Sequence, residues 1–318
     1  MIDYSLTRDD FLSAFAALAA QSPKGKLAGA AMYGGPRQQV GFATKAGVFP
    51  VGRRRVWADD AGLHEQWDGA EQVYRWPALG RSIDVGDFIG VPLAGLADDA
   101  PAFASFALFI PRATPGLAEL RAELDARALR SADEALPPPG EERPSGAAGH
   151  KDVVAPDDYL TVNRAAYSTR AGWMPLVVTV VVGLALGVVV GLLLASLSWF
   201  PLPPLLSAVL GAAVGALGST ALLFVIVKLT ARSLVESGVY KIGPGAWWCG
   251  RDGFHEEIGG RVYSVAWRKI ERVQRADDIA ILWLDSASAI LVPCRDDCGR
   301  AFIDAVERYA ARESPSVR

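Results

Sequence analysis

The sequence predicts an α+β membrane protein: two small antiparallel β modules, each closed by a C-terminal helix, plus a two-helix transmembrane hairpin. Two observations carry this. Gly62-Leu63-His64-Glu65 recurs as Gly253-Phe254-His255-Glu256, and the same spacing pairs Trp57 with Trp248, Gly69 with Gly260, Trp76 with Trp267, Arg81 with Arg272 and Asp87 with Asp278. That makes eight identities in 31 ungapped positions starting at Trp57. Between the copies, residues 171–227 form a run of 57 without Asp, Glu, Lys, Arg or His. A bilayer core about 30 Å thick takes roughly 20 apolar residues per helix, so the run suffices for two spans. Its break falls at Pro201, Pro203 and Pro204. Two buried helices of a soluble core would rarely be apolar all round.

The elements follow in order. Phe11, Phe15 and Leu18 recur at helical spacing behind Thr7 and Asp9, either of which can cap. Asp3, Asp9 and Asp10 precede that apolar stretch, whereas a signal peptide needs a positive start, so the helix is expected to be retained. Residues 51–111 read as short strands with turns at Asp59-Asp60-Ala61-Gly62 and Asp68-Gly69. A helix carrying Leu117, Leu120 and Leu124 on one face completes a first module at residues 1–130. Residues 131–156, with Pro137-Pro138-Pro139-Gly140 and Pro144-Ser145-Gly146, read as a linker. A juxtamembrane helix is expected over 157–170, where Asp157-Asp158-Tyr159-Leu160 echoes Asp9-Asp10-Phe11-Leu12. Transmembrane helices follow at 171–200 and 204–229, then a second module at 235–312. Its strands are expected at 247–249, 254–258, 261–265, 270–274, 279–284 and 289–292, before a helix over 297–311. The first module is read as lacking the spans.

Within the hairpin, Gly183, Gly187 and Gly191 form a ladder that Gly211, Gly215 and Gly218 answer. Small residues at this spacing let backbones approach, closing the hairpin or serving a second copy of the chain. Trp173 and Trp199 lie near opposite ends of the first span, as interfacial aromatics do. Arg164 and Arg170 precede the hairpin and Lys228 and Arg232 follow it, while its turn carries no charge. The positive-inside rule therefore puts both termini in the cytoplasm of a multi-pass inner-membrane protein. Without an ionisable group in the spans, a transport path is not expected; the hairpin reads as an anchor.

Chemistry is sparse. Net charge is −3 with no clustered basic surplus, so nucleic acid is not expected as a partner. Three cysteines (Cys249, Cys294, Cys298) fit free thiols better than a disulfide framework. The His-Glu pairs do not extend to H-E-x-x-H, and three histidines in all are too few to suggest zinc. Both pairs are expected as half-exposed strand residues after a glycine turn. Arg53-Arg54-Arg55 could touch anionic headgroups, against the plainer reading of a solvated strand edge. No phosphate loop, dinucleotide turn or nucleophile elbow occurs. No catalytic, cofactor or metal residue is nominated, and no enzyme is expected.

Four motifs in the second copy carry a resemblance: Asp252-Gly253-Phe254-His255-Glu256, Trp267-Arg268-Lys269-Ile270, Asp278-Ile279-Ala280-Ile281 and Ile290-Leu291-Val292-Pro293-Cys294-Arg295. Over residues 157–312 the chain resembles the YcxB-like bacterial membrane proteins. The first copy resembles them more loosely, through Trp76-Pro77-Ala78-Leu79, Asp87-Phe88-Ile89 and Phe109-Ile110-Pro111-Arg112. The resemblance implies a pleckstrin-homology-like fold for each module and supplies no catalytic residue. The expected function is binding or scaffolding for a cytoplasmic protein partner or the membrane surface. The rivals are a membrane-bound enzyme with an unidentified site and a purely structural membrane component.

Overall fold

The computed structural model describes residues 1–21, 40–41, 51–94, 106–141, 143–167, 173–196, 203–236, 241–285 and 288–313. The chain divides into two units: residues 1–158 with 234–318, and residues 159–233.

The larger unit is α+β with antiparallel sheets, and it holds the first repeat and all of the second except residues 159–233. The first runs β1 (Ile2–Leu6), α1 (Arg8–Gln21), β2 (Gly52–Ala58), β3 (Leu63–Trp67), β4 (Ala70–Tyr74), a 3₁₀ turn (Trp76–Ala78), β5 (Ile83–Val85), β6 (Phe88–Pro92), β7 (Phe106–Pro111) and α2 (Leu117–Arg130). The second repeats this order as β8 (Ala148–Val154), α3 (Pro156–Tyr167), then, past the helices of the smaller unit, β9 (Gly243–Cys249), β10 (Phe254–Ile258), β11 (Arg261–Val265), a 3₁₀ turn (Trp267–Lys269), β12 (Arg272–Ala276), β13 (Ile279–Trp283), β14 (Ala289–Pro293) and α6 (Asp297–Glu313). The intervening helices are α4 (Trp173–Ser196) and α5 (Pro204–Glu236).

Two strands depart from the sequence reading. β1 precedes the expected first helix, and β8 lies inside the expected linker 131–156. Both are edge strands. β8 lacks apolar alternation because only His150 and Val154 along it are buried, and one of these is a histidine. The two are equivalent: Ile2 pairs with Val56 and Leu6 with Gly52, as His150 pairs with Trp247 and Val154 with Gly243. The helix starts match as well. Asp10 Oδ2 accepts from Thr7 N at 2.7 Å and Asp158 Oδ2 from Ala155 N at 2.7 Å. Thr7 Oγ1 accepts in return from Asp10 N, a reciprocal cap that satisfies otherwise orphaned donors.

The modules are joined by strand pairing. One eight-stranded sheet runs β1-β2-β3-β4-β11-β10-β9-β8, and each module adds a three-stranded sheet, β5-β6-β7 or β12-β13-β14. Where β4 meets β11, Ala70 lies opposite Val265, Tyr74 opposite Arg261, and Gln72 opposite Tyr263, its own counterpart in the repeat. The flanking bonds obey the same two-fold relation: Arg75 N donates to Gly260 O at 2.8 Å and Ala266 N to Gly69 O at 3.0 Å. A buried ion pair crosses the junction, Arg75 Nη2 to Glu257 Oε1 at 3.1 Å, and Gly140 N donates to Glu257 Oε2 at 2.7 Å. Lys269 pairs with Asp68 at the surface. Residues 131–156 thus include contacts with the second module rather than a bare spacer.

The repeated motif residues serve the same purposes twice. Asp59 N donates to Gly62 O and Gly250 N to Gly253 O, closing equivalent turns. A Cβ at Gly62 would lie 2.2 Å from Tyr74 O, and one at Gly253 2.3 Å from Val265 O, so only glycine fits where β3 and β10 start. Trp76 Nε1 donates to Asp59 O at 2.9 Å and Trp267 Nε1 to Gly250 O at 2.8 Å. Behind the first copy, Phe11, Phe15, Leu63, Phe109 and Leu124 belong to one buried cluster.

In the smaller unit, α4 and α5 pack antiparallel through their glycines. A Cβ at Gly183 would fall 2.6 Å from Gly215 O, one at Gly187 2.0 Å from Gly211 O, and one at Gly191 2.2 Å from Ser207 O. Gly218, expected on this face, has open space there instead. Leu205–Leu222 is long and apolar enough to cross a membrane; in α4 the comparable stretch, Thr179–Leu193, is shorter. Trp199 and Arg170 lie outside the described residues.

Candidate functional site

Strand alternation splits the repeated His-Glu pairs across the sheet, the glutamates inward and the histidines toward the opposite face. Of the two pairs expected to be half-exposed, only His255 is: Glu65 is 2% exposed, Glu256 9% and His64 9%. A buried carboxylate needs a donor, and the modules supply different ones. In the first, Arg54 on β2 forms a buried ion pair with Glu65 and lies over the rings of Phe11 (5.6 Å) and Trp67 (5.9 Å). Burial pushes the Glu65 carboxyl up, against the pull of the guanidinium. In the second, glycine (Gly245) stands where Arg54 would be, and the Trp247 ring fills the space, 2.7 Å from a Cβ placed on that glycine. Trp247 Nε1 donates to Glu256 Oε1 at 3.2 Å, and Lys241 Nζ lies 3.9 Å from Oε2. Burial lowers the Lys241 ammonium to about 8, even with Glu256 beside it, and raises Glu256.

This corrects the reading of Arg53-Arg54-Arg55 as one basic patch. Period two turns Arg54 into the core, 2% exposed, out of reach of any headgroup. Arg53 and Arg55 point outward and share Asp3 on β1, at 3.8 and 3.3 Å.

On the opposite face, each histidine stacks on the tryptophan of the adjacent strand. Trp57 and His64 centroids are 4.7 Å apart at 16°, and Trp248 and His255 are 5.3 Å apart at 8°. Their polar partners differ. His64 sits between two carboxylates, Glu71 Oε1 2.9 Å from Nδ1 and Asp59 Oδ1 2.9 Å from Nε2. Burial disfavours the imidazolium, but the carboxylates outweigh it and leave the pKa raised. His255 Nδ1 lies 2.8 Å from Ser264 Oγ, and Nε2 lies 3.2 Å from Asp252 Oδ2. Here burial dominates and the pKa is lowered, with the exposed Asp252 offsetting only part. Glu71 and Ser264 lie opposite one another on the junction strands. The two histidine clusters therefore meet at the two-fold relation that joins the modules.

Chemically, the first cluster favours the imidazolium and the second favours the neutral imidazole, which lies within hydrogen-bond distance of a hydroxyl. Asp252, His255 and Ser264 have the order of an acyl-transfer relay. Yet Ser264 lies within β11, whose two sides pair with β4 and β10, committing its backbone N–H groups to the sheet.

Two clefts lie elsewhere in this unit. One of about 470 Å³ is lined by Arg143, His150, Lys151, Asp296 and Cys298, and another of about 330 Å³ by Asp10, Asp87 and Arg112. Cys249 and Cys294 are buried and Cys298 exposed; burial raises the Cys249 thiol to about 11. Among the described residues, no group of three or more His, Cys, Asp or Glu could hold a metal ion. Sequence reasoning missed Asp59, Glu71, Asp252 and Ser264. Asp59 and Asp252 sit in the recognised turns; Glu71 and Ser264 become neighbours only through the junction register.

No protein family, curated protein or solved structure matches the chain.

Proposed function

We propose that this is a YcxB-like, inner-membrane-anchored binding or scaffolding protein, with two pleckstrin-homology-like modules on the cytoplasmic side. The observation that carries the anchor is the outward side of α4 and α5. Val181, Leu186, Val189, Leu193, Leu205, Val209, Val214 and Leu217 are exposed there, a surface that soluble monomers rarely leave to water. Lipid covers it in this reading, with the glycine faces closing the hairpin. The binding role is supported by the architecture: sheets joined by strand pairing, with polar clusters and clefts on them. Arg53 and Arg55 remain as residues for anionic headgroups, each contributing about 1 kcal/mol near the surface.

Alkaline extraction of native membranes tests the anchor, and appearance of the chain in the soluble fraction would overturn it. Proximity labelling from those membranes tests scaffolding; a reproducible cytoplasmic neighbour supports it, and a profile matching an unrelated hairpin-anchored control refutes it. The enzyme reading has one observation in its favour, the Asp252-His255-Ser264 chain. Labelling of Ser264 by a fluorophosphonate, lost in His255→Ala, would establish it.

A further inference from the structure

The junction between β4 and β11 has the geometry of an isologous dimer interface built inside one chain. Such an interface is normally self-complementary, so two copies of the first module, or two of the second, could pair by the same register. The charges are not self-complementary. Arg75 of the first module meets Glu257 of the second, and Asp68 of the first meets Lys269 of the second. In a pair of first modules, the repeat would set Arg75 opposite Gln66 and Asp68 opposite Ala78. In a pair of second modules, Glu257 would face Ala266, and Lys269 would face Gly259. The buried carboxylate of Glu257, which is 2% exposed, would lose the guanidinium that neutralises it.

We infer that Arg75, Glu257, Asp68 and Lys269 are specificity determinants that make each module choose its sister and reject a copy of itself. The partner that fits β4 is β11 with its acidic Glu257 and basic Lys269, not another β4. Specificity of this kind comes from the mismatch in the wrong pair as much as from attraction in the right one. Unpaired strand edges are ready templates for association between molecules. On a membrane crowded with copies, the code keeps chains from linking through their junction strands, so any assembly of copies must use another surface.

The test uses the full chain in detergent, tagged differently at its two ends, with a protease site inserted at the exposed Pro144-Ser145-Gly146 turn. After cleavage the parent halves should stay together through capture and washing. Arg75→Glu opposes two carboxylates and should cut retention of the N-terminal half at least ten-fold; Arg75→Glu with Glu257→Arg should restore it. Asp68→Lys should cause a smaller loss, about two- to five-fold, reversed by adding Lys269→Asp. These two residues lie at the surface, so this pair keeps the test open if a buried reversal prevents folding, which near-UV circular dichroism before cleavage detects. In a mixture of differently tagged chains, N-terminal halves should not capture one another. The inference is overturned if both single reversals leave retention unchanged, or if N-terminal halves capture each other as readily as they capture C-terminal halves.

Discussion

The two modules bury the same glutamate and solve the resulting problem in opposite ways. Glu65 is met by an arginine from β2; Glu256 is met by an indole N–H from the equivalent strand, with a glycine making room and Lys241 at longer range. The backbone frame of the duplicate has outlasted its side-chain chemistry. Turn glycines and tryptophans keep identical bonds in both halves, whereas every polar partner of the repeated Glu and His has changed. A buried carboxylate constrains its surroundings to supply a donor and leaves open which one.

The largest break in this comparison should come from Arg54→Met. It leaves Glu65 buried and uncompensated, costing about 3–5 kcal/mol in urea denaturation, while adding Glu65→Leu should recover most of the loss. A double variant as unstable as the single one would refute the pairing. Next is Trp247→Phe, which removes only a neutral donor and leaves Glu256 partly satisfied by Lys241; a loss of about 1–3 kcal/mol is expected. Equal losses for Arg54→Met and Trp247→Phe would erase the distinction between the modules.

Grafting one solution onto the other sharpens the point. Gly245→Arg alone should destabilise by overpacking, about 1–3 kcal/mol, because the Trp247 ring occupies the space. Together with Trp247→Val it reproduces the first module's arrangement and should recover part of that loss in the same denaturation assay.

The smallest effect is the titration of the histidines. In NMR, His64 should titrate above the usual value near 6.5 and His255 below it. The stability contributed by His64 is complete below its unfolded pKa and lost as pH rises through the raised folded value. For His255 the folded state resists the proton, so its neutral form costs stability as pH falls from the unfolded value toward the lowered one. His64→Gln and His255→Gln should accordingly change the pH profile of unfolding in opposite senses, the first on the alkaline side of the unfolded histidine value and the second on its acid side. Parallel changes would contradict the assignment of partners.

The repeat made much of the frame legible in sequence. β10 and β11 fall at the expected residues, because each is bounded by glycine turns and carries its own pattern. β8 did not, because an edge strand with a histidine on its core side lacks apolar alternation. The His-Glu pairs misled for a related reason: two adjacent polar residues look surface-bound until strand period places one on each face. Asp59, Glu71, Asp252 and Ser264 became neighbours of the histidines only through turns and cross-strand register, which composition does not encode. The strand pairing of the two modules was hidden for the same reason, since a linker rich in proline and glycine looks alike whether its ends are tethered or fused.

One consequence concerns time. β4 ends at Tyr74, and β11, which covers its edge, does not begin until Arg261. Ribosomes add about 5–20 residues per second, so a nascent first module waits roughly 10–40 s with a bare strand edge. β8 waits about half as long for β9 while both long helices are made. The eight-stranded sheet is completed only once β11 has been made, so a chain that stalls between its two copies is left with the β4 edge exposed.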